Sequence, residues 1–354
     1  MADVADDTPV ARALVLQGGG ALGAFALGAV RVLYAERGWR PDVISGVSIG
    51  AITAALLARP KGGDPLAALE AFWAAVTVEA AWWPAPLQRY ASTFGNPHFF
   101  TPRTDVWAAA GWTSLYSTEP LKRTLAGLVD EAALADPAAR PRILVTATDI
   151  EAGEIETFDS ADPKTTRGGM TLDHILASGS LPPSFPMTRI GGKAYWDGGL
   201  FDNTPLSDVL KLFKHTGHAG AAREIVVVNL FANQGAIPTD LAGVSQRVLD
   251  LTFANKSQSD LDLLLQFNPV AALLKTIREK PEWEALRKEP VFTEADRGYI
   301  EVPEVKAITR KGATANGAWT DFSPAGIAAL AEEGAVAARD GIDNPLVSGG
   351  KALR

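Results

Sequence analysis

Short apolar runs alternate with glycine loops and helix-spaced stripes through the first part of the chain. Ala13 to Gln17 (ALVLQ) has the composition of a buried strand and stops at Gly18-Gly19-Gly20; Ala21 to Leu33 follows, with Phe25, Ala29, Val32 and Leu33 spaced to cover one helix face. Asp42 to Leu57 repeats that order: Val43 and Ile44 lead into a turn at Ser48, and a run rich in Ala, Ile and Leu follows it. Strand, tight loop and helix, twice over, imply parallel strands joined by right-handed crossovers, and hence an α/β fold with helices on the faces of the sheet. Arg59 to Pro65 breaks the second helix.

Between Ala67 and Ser117 the pattern changes to aromatics crowded among prolines, Trp73, Trp82, Trp83, Phe99, Phe100 and Trp107 among them. Such a stretch reads either as helix packing against the sheet or as a cap that receives an acyl chain or touches a lipid surface. Sheet character resumes with a strand over Ile143 to Asp149, a turn at Gly153 and a hairpin partner over Ile155 to Phe158. Leu172 to Ser178 is a short helix, Ser180 to Pro186 a proline-stiffened loop, and Ala194-Tyr195-Trp196 leads into Asp197-Gly198-Gly199. Ile225 to Leu230 (IVVVNL) is the most hydrophobic strand and is expected near the centre of the sheet. From Ala236 onward amphipathic helix predominates, with Leu241, Val244, Val248 and Leu251 on one stripe and Leu261, Leu264 and Leu265 on the next. A strand-like run over Tyr299 to Ile308 follows, and Ser323-Pro324 opens a last helix. The chain therefore divides into a tail over 1–12, an α/β part over 13–232 and a largely helical C-terminal extension over 233–354 that packs on or caps it.

Charge and composition narrow the function classes. With 33 basic and 41 acidic side chains the net charge is -8, and no Lys/Arg block appears, which disfavours a nucleic-acid partner. There is no cysteine, so disulfides, thiolate catalysis and cysteine-ligated metals are excluded. The four histidines, His98, His174, His215 and His218, have no metal-ligand spacing. The first residues, MADVADDTPV, are acidic where a secretory leader would be basic and then apolar, so a disordered tail and a cytoplasmic protein are expected. No apolar run is long enough to span a bilayer.

The candidate chemistry centres on Ser48. Gly46 and Gly50 bracket it at a strand-to-helix turn, the pattern of a nucleophile elbow, in which a strained serine needs side-chain-free neighbours. Gly18-Gly19-Gly20 before a helix can present unpaired N–H groups and the positive end of a helix dipole to an oxyanion. Gly18, Gly20 and Gly23 with Asp42 also match a dinucleotide-binding fingerprint, but Asp42 precedes its strand, where a ribose-binding acid would follow it. For a base, Asp197 is followed by Gly198-Gly199, which allows close backbone approach; a poorly hydrated pocket would raise its pKa into a working range. A Ser48–Asp197–histidine triad using His215 or His218 is the alternative, although those histidines precede the strand at Ile225 and so fall at the wrong end of the sheet.

Taken together, QGGGALG (Gln17 to Gly23), GVSIG (Gly46 to Gly50), DGG (Asp197 to Gly199), ASGSLPPSFP (Ala177 to Pro186) and DNTPL (Asp202 to Leu206) resemble the patatin-like phospholipase family over roughly Ala13 to Ala232. The resemblance implies a three-layer α/β/α sandwich with a mainly parallel central sheet, and lipid acyl-ester hydrolysis through an acyl-enzyme. It also implies Ser48 as nucleophile, Asp197 as base and Gly18, Gly19 and Gly20 as oxyanion loop, with Gly46, Gly50, Gly198 and Gly199 supporting the turns. Leu22 departs from the family's pattern, standing where many relatives carry Arg or Lys. An acyl-ester lipid is the implied substrate, with peripheral contact to a membrane or lipid aggregate, and no metal or organic cofactor is implied. A non-catalytic lipid-binding scaffold on the same fold is the competing class. The sequence leaves the oligomeric state open, a homodimer included.

Overall fold

The computed structural model describes residues 12–80, 82–215, 223–232, 235, 237–239, 241–254, 269–270, 272–298, 304–311, 318–343, 347–348 and 351–352. Apolar alternation along the strands sets the layers. Strands β1 (Arg12–Leu16), β2 (Val43–Gly46), β3 (Thr101–Pro102), β4 (Tyr116–Ser117), β5 (Arg142–Asp149), β6 (Glu154–Asp159), β7 (Thr188–Ile190), β8 (Lys193–Asp197), β9 (Glu224–Asn229), β10 (Glu304–Thr309), β11 (Val347–Ser348) and β12 (Lys351–Ala352) are formed. β3 and β4 make a small separate pair, and the others form one sheet in the order β12-β11-β10-β9-β1-β2-β5-β8-β7, with β6 on β5. Its centre, β10-β9-β1-β2-β5, is wholly parallel, and its margins are antiparallel.

Successive side chains of a strand point to opposite faces. Leu14, Leu16, Ile44, Ile143 and Val145 accordingly enter one core, while Ala13, Val15, Val43 and Leu144 enter another. The helices include α1 (Ala24–Arg31), α2 (Ile49–Ala58), α3 (Pro65–Val76), α4 (Glu119–Leu128), α5 (Glu131–Ala135), α6 (Pro163–Thr166), α7 (Leu172–Ser178), α8 (Leu206–His215) and α9 (Leu241–Ala254), followed by Glu284–Arg287 and Pro290–Gly298. The first core is closed by α1, α2, α3 and the C-terminal helix Pro324–Ile342, the second by Leu206, Val209, Leu210 and Phe213 of α8. Helices cover both faces of the sheet, a three-layer α/β/α sandwich.

The expected strands and the hairpin of β5 with β6 are present, and β9 lies inside the sheet between β1 and β10. The helix expected from Ala21 begins as a tight turn over Gly20–Gly23 before α1. On α9 the stripe Leu241, Val244, Val248 and Leu251 faces solvent, because the helix buries Asp250 and Ala254 instead and packs Phe253 on the main core. The tail except Arg12, together with His218, Leu261, Leu264, Leu265 and the start of the run at Tyr299, lies outside the described residues.

Candidate active site

β2 and β8 approach each other end to end along one edge of β5. β2 pairs with Arg142 to Val145, β8 pairs antiparallel with Ala147 to Asp149, and β6 occupies the opposite edge of β5 over Leu144 to Asp149. Gly46 stands opposite Val145 and Asp197 opposite Ala147, two residues apart, about 7 Å at 3.3 Å per residue. The turn after β2 and the turn after β8 therefore meet in the same gap.

Ser48 sits in that gap with φ 55° and ψ -123°, a left-handed backbone that costs a non-glycine residue about 1–3 kcal/mol. Three features hold it there. Its N–H donates to Ser178 Oγ at 2.9 Å, and that hydroxyl donates to the Thr146 carbonyl at 2.7 Å. Its carbonyl accepts from Ala51 and Ile52 as α2 begins, and every residue of α2 is buried. Finally, the flanking glycines allow backbone-to-backbone contact: a Cβ on Gly46 would fall 2.4 Å from the Gly50 carbonyl oxygen, and one on Gly50 2.3 Å from that of Leu16. The anchor Ser178 belongs to the ASGSLPPSFP motif, to which the sequence assigned no role at the site.

Asp197 is 3% exposed. Its N–H donates to the Ser180 carbonyl at 3.1 Å, and its own carbonyl accepts from Thr148 Oγ1 at 2.9 Å, so the end of β8 is fixed on both sides. Behind it, Lys193 pairs with Asp149 and Glu156, each at 2.8 Å, which ties β8 to β5 and β6. The carboxylate accepts the Gly199 N–H at 2.8 Å and lies close enough to the Ser48 hydroxyl to feel it. Burial pushes its pKa up to about 7, against the opposing pull of the Gly199 N–H and the Ser48 hydroxyl.

The glycine loop completes the cluster. A Cβ on Gly18 would lie 2.9 Å from Ser48 Cβ and 2.6 Å from Asn203 Oδ1, so the loop passes directly beside the serine. Asn203 clamps it, accepting the Gly18 N–H at 3.4 Å on its backbone carbonyl and donating from Nδ2 to the Gly18 carbonyl at 3.1 Å. Among the described residues the N–H groups of Gly19 and Gly20 have no acceptor. Leu22 is wholly buried and forms part of the main core. Gly198 passes against β5, where a Cβ would fall 2.3 Å from the Thr146 carbonyl oxygen.

A cavity of about 170 Å³ opens beside Ser48 and Gly20, walled mainly by apolar groups including Ile52, Phe99, Phe100, Tyr116 and Phe185. Its size is comparable to apolar protein cavities of about 150 Å³ that stay dry and take a benzene-sized guest. The aromatic stretch thus divides: Phe99 and Phe100 line the cavity, Trp73 is core, and Trp82, Phe94 and Trp107 face solvent. The described histidines lie elsewhere. His98 is exposed, His174 is buried in the capping box of α7, and His215 ends α8, which leads toward the start of β9, the end of the sheet opposite Ser48.

The family model of patatin-like phospholipases matches residues 14–210, more than half of the chain and every part of this cluster. The chain belongs to the patatin-like phospholipase family. Lipid acyl hydrolysis is the activity class that membership indicates. A solved structure of VipD from Legionella pneumophila is similar at 16% identity and a TM-score of 0.41, over 95% of this chain and 67% of that one. No curated protein sequence matches. Among the described residues of this patatin-like chain, no helix is long and apolar enough to cross a membrane.

Proposed function

We propose that this chain is a serine lipid acyl hydrolase that cleaves carboxylic esters through Ser48 and Asp197. The observation that carries the reading is the buried Asp197 carboxylate, its pKa raised to about 7, beside the hydroxyl of a strained serine at the mouth of an apolar cavity. A base poised near neutrality is partly ionised at working pH and still able to return a proton.

In the first half-reaction Ser48 Oγ attacks the ester carbonyl carbon and its proton passes to Asp197. The oxyanion is held by the loop Gly18-Gly19-Gly20, with Gly19 and Gly20 supplying N–H donors that find no acceptor among the described residues, each worth about 3 kcal/mol. Collapse breaks the ester bond, and the leaving alkoxide takes the proton from Asp197 and departs as alcohol. Water then gives its proton to Asp197 and attacks the acyl-enzyme; the carboxylic acid leaves and Ser48 regains its proton. The acyl chain occupies the cavity throughout. The position of His215 at the far end of α8 supports the two-residue mechanism over a triad.

Ser48→Ala and Asp197→Asn are each expected to lower turnover of a chromogenic acyl ester by about a thousandfold or more, with unchanged circular dichroism. An Asp197→Asn variant that turns over within a few-fold of the parent would remove the aspartate from the mechanism.

A further inference from the structure

The cavity wall next to the glycine loop comes from a segment outside the stretch matched by the family. Trp319, Thr320 and Phe322 line the cavity together with Ser48 and Gly20. Three contacts fix this segment. The Trp319 carbonyl oxygen stands 2.5 Å from where a Gly20 Cβ would be, a space that exists because residue 20 has no side chain. Ser92 Oγ donates to the Thr320 carbonyl at 2.6 Å, and the Val78 N–H donates to the Phe322 carbonyl at 2.8 Å. Phe322 is also locked in place, stacked on Trp73 at 6.5 Å and tilted against Phe99 at 5.5 Å. Directly after it, Ser323 caps the C-terminal helix through the Gly326 N–H, so the segment hangs from a helix packed on α1.

Trp319 differs from Phe322. It is half-buried, and its indole Cε3 lies 3.8 Å from the same vacant Cβ position of Gly20. A bulky ring is thereby set against the wall nearest the oxyanion loop, where the carbons adjoining a bound acyl carbonyl must pass. We propose that Trp319 makes the cavity selective for unbranched acyl groups, by narrowing it at its catalytic end. This rests on the reading of the cavity as the acyl site. An added methylene that a pocket cannot accommodate costs about tenfold or more in discrimination.

The test measures binding apart from catalysis. In full-length Ser48→Ala protein, the affinities of the isomeric acids hexanoate and 2-ethylbutanoate are compared by titration calorimetry or ligand-observed NMR. The same pair is then measured with Trp319→Ala added. The parent is expected to prefer the linear acid at least about tenfold, and the double variant to hold the two within about threefold. Trp319→Leu, which keeps more of the packing, is expected to fall between and serves if Trp319→Ala melts early. A parent without preference, or a preference unchanged in both substituted proteins, overturns the proposal. Esters of the same acids separate the two readings. If they are not hydrolysed by the Ser48 protein while the binding ratio shifts, the wall stands and the Ser48/Asp197 reading falls. If they are hydrolysed and the ratio does not move, the reverse holds.

Discussion

Ser48 and Asp197 each carry a local cost, one in backbone strain and one in burial of a carboxylate. With Asp197 held at about 7 and required in its ionised form, log kcat/KM is expected to rise with unit slope up to about pH 7 and level above it, measured on a soluble ester. The same shift has a stability consequence. Folded Asp197 titrates near 7 and the unfolded chain's aspartate near about 3.9, so the folded state binds more protons between those values and stability falls as pH rises through that window. Asp197→Asn removes this dependence. Its melting temperature is expected to exceed the parent's at pH 8 and to converge with it near pH 4, by scanning calorimetry at both pH values. A variant less stable than the parent at pH 8 would mean that burial of the carboxylate is offset by contacts that the asparagine loses.

At the scale of elements, the tightest packing is between α1 and the C-terminal helix. A Cβ on Gly28 would fall 1.7 Å from the Ala331 carbonyl oxygen, and one on Gly334 1.9 Å from that of Phe25. Helix propensity alone would make Gly→Ala stabilising by about 1 kcal/mol at either position. The crossing reverses the sign: Gly28→Ala and Gly334→Ala are each expected to destabilise by about 3 kcal/mol, the upper end for overpacking, in denaturant unfolding. This crossing also shows what sequence reading reaches and what it misses. The turns at Ser48 and Asp197 are written in adjacent residues, glycines at fixed offsets from a polar group, and could be read directly. That β8 meets β2 head-on, that Ser178 supplies the acceptor for the Ser48 N–H, and that β10 extends the sheet beside β9 depend on pairings between distant segments. No local pattern encodes those pairings. Nor could composition separate Trp73, in the core, from Trp107, in solvent, since both stand in the same aromatic-rich stretch.

For the molecule as a whole, one stretch of chain supplies both exposed aromatics and part of the cavity wall. Trp82 is 92% and Trp107 85% exposed, and between them in sequence Ser92, Phe99 and Phe100 line the cavity. Large exposed aromatics on the stretch that also contributes to the cavity wall suit contact with aggregated lipid, and the net charge of -8 favours neutral over anionic surfaces. Trp82→Ala with Trp107→Ala is accordingly expected to lower hydrolysis of monoglyceride aggregates several-fold while leaving a monomeric short-chain ester unaffected; an equal loss on both would point to a folding role. The central claim is the pairing of a nucleophilic serine with an aspartate base, and covalent labelling tests it most directly. A fluorophosphonate probe at pH 8, followed by peptide mass spectrometry, is expected to modify Ser48 alone in the parent, about a hundredfold or more slower in Asp197→Asn. Labelling that misses Ser48, or proceeds at the parent's rate without the carboxylate, would contradict the account.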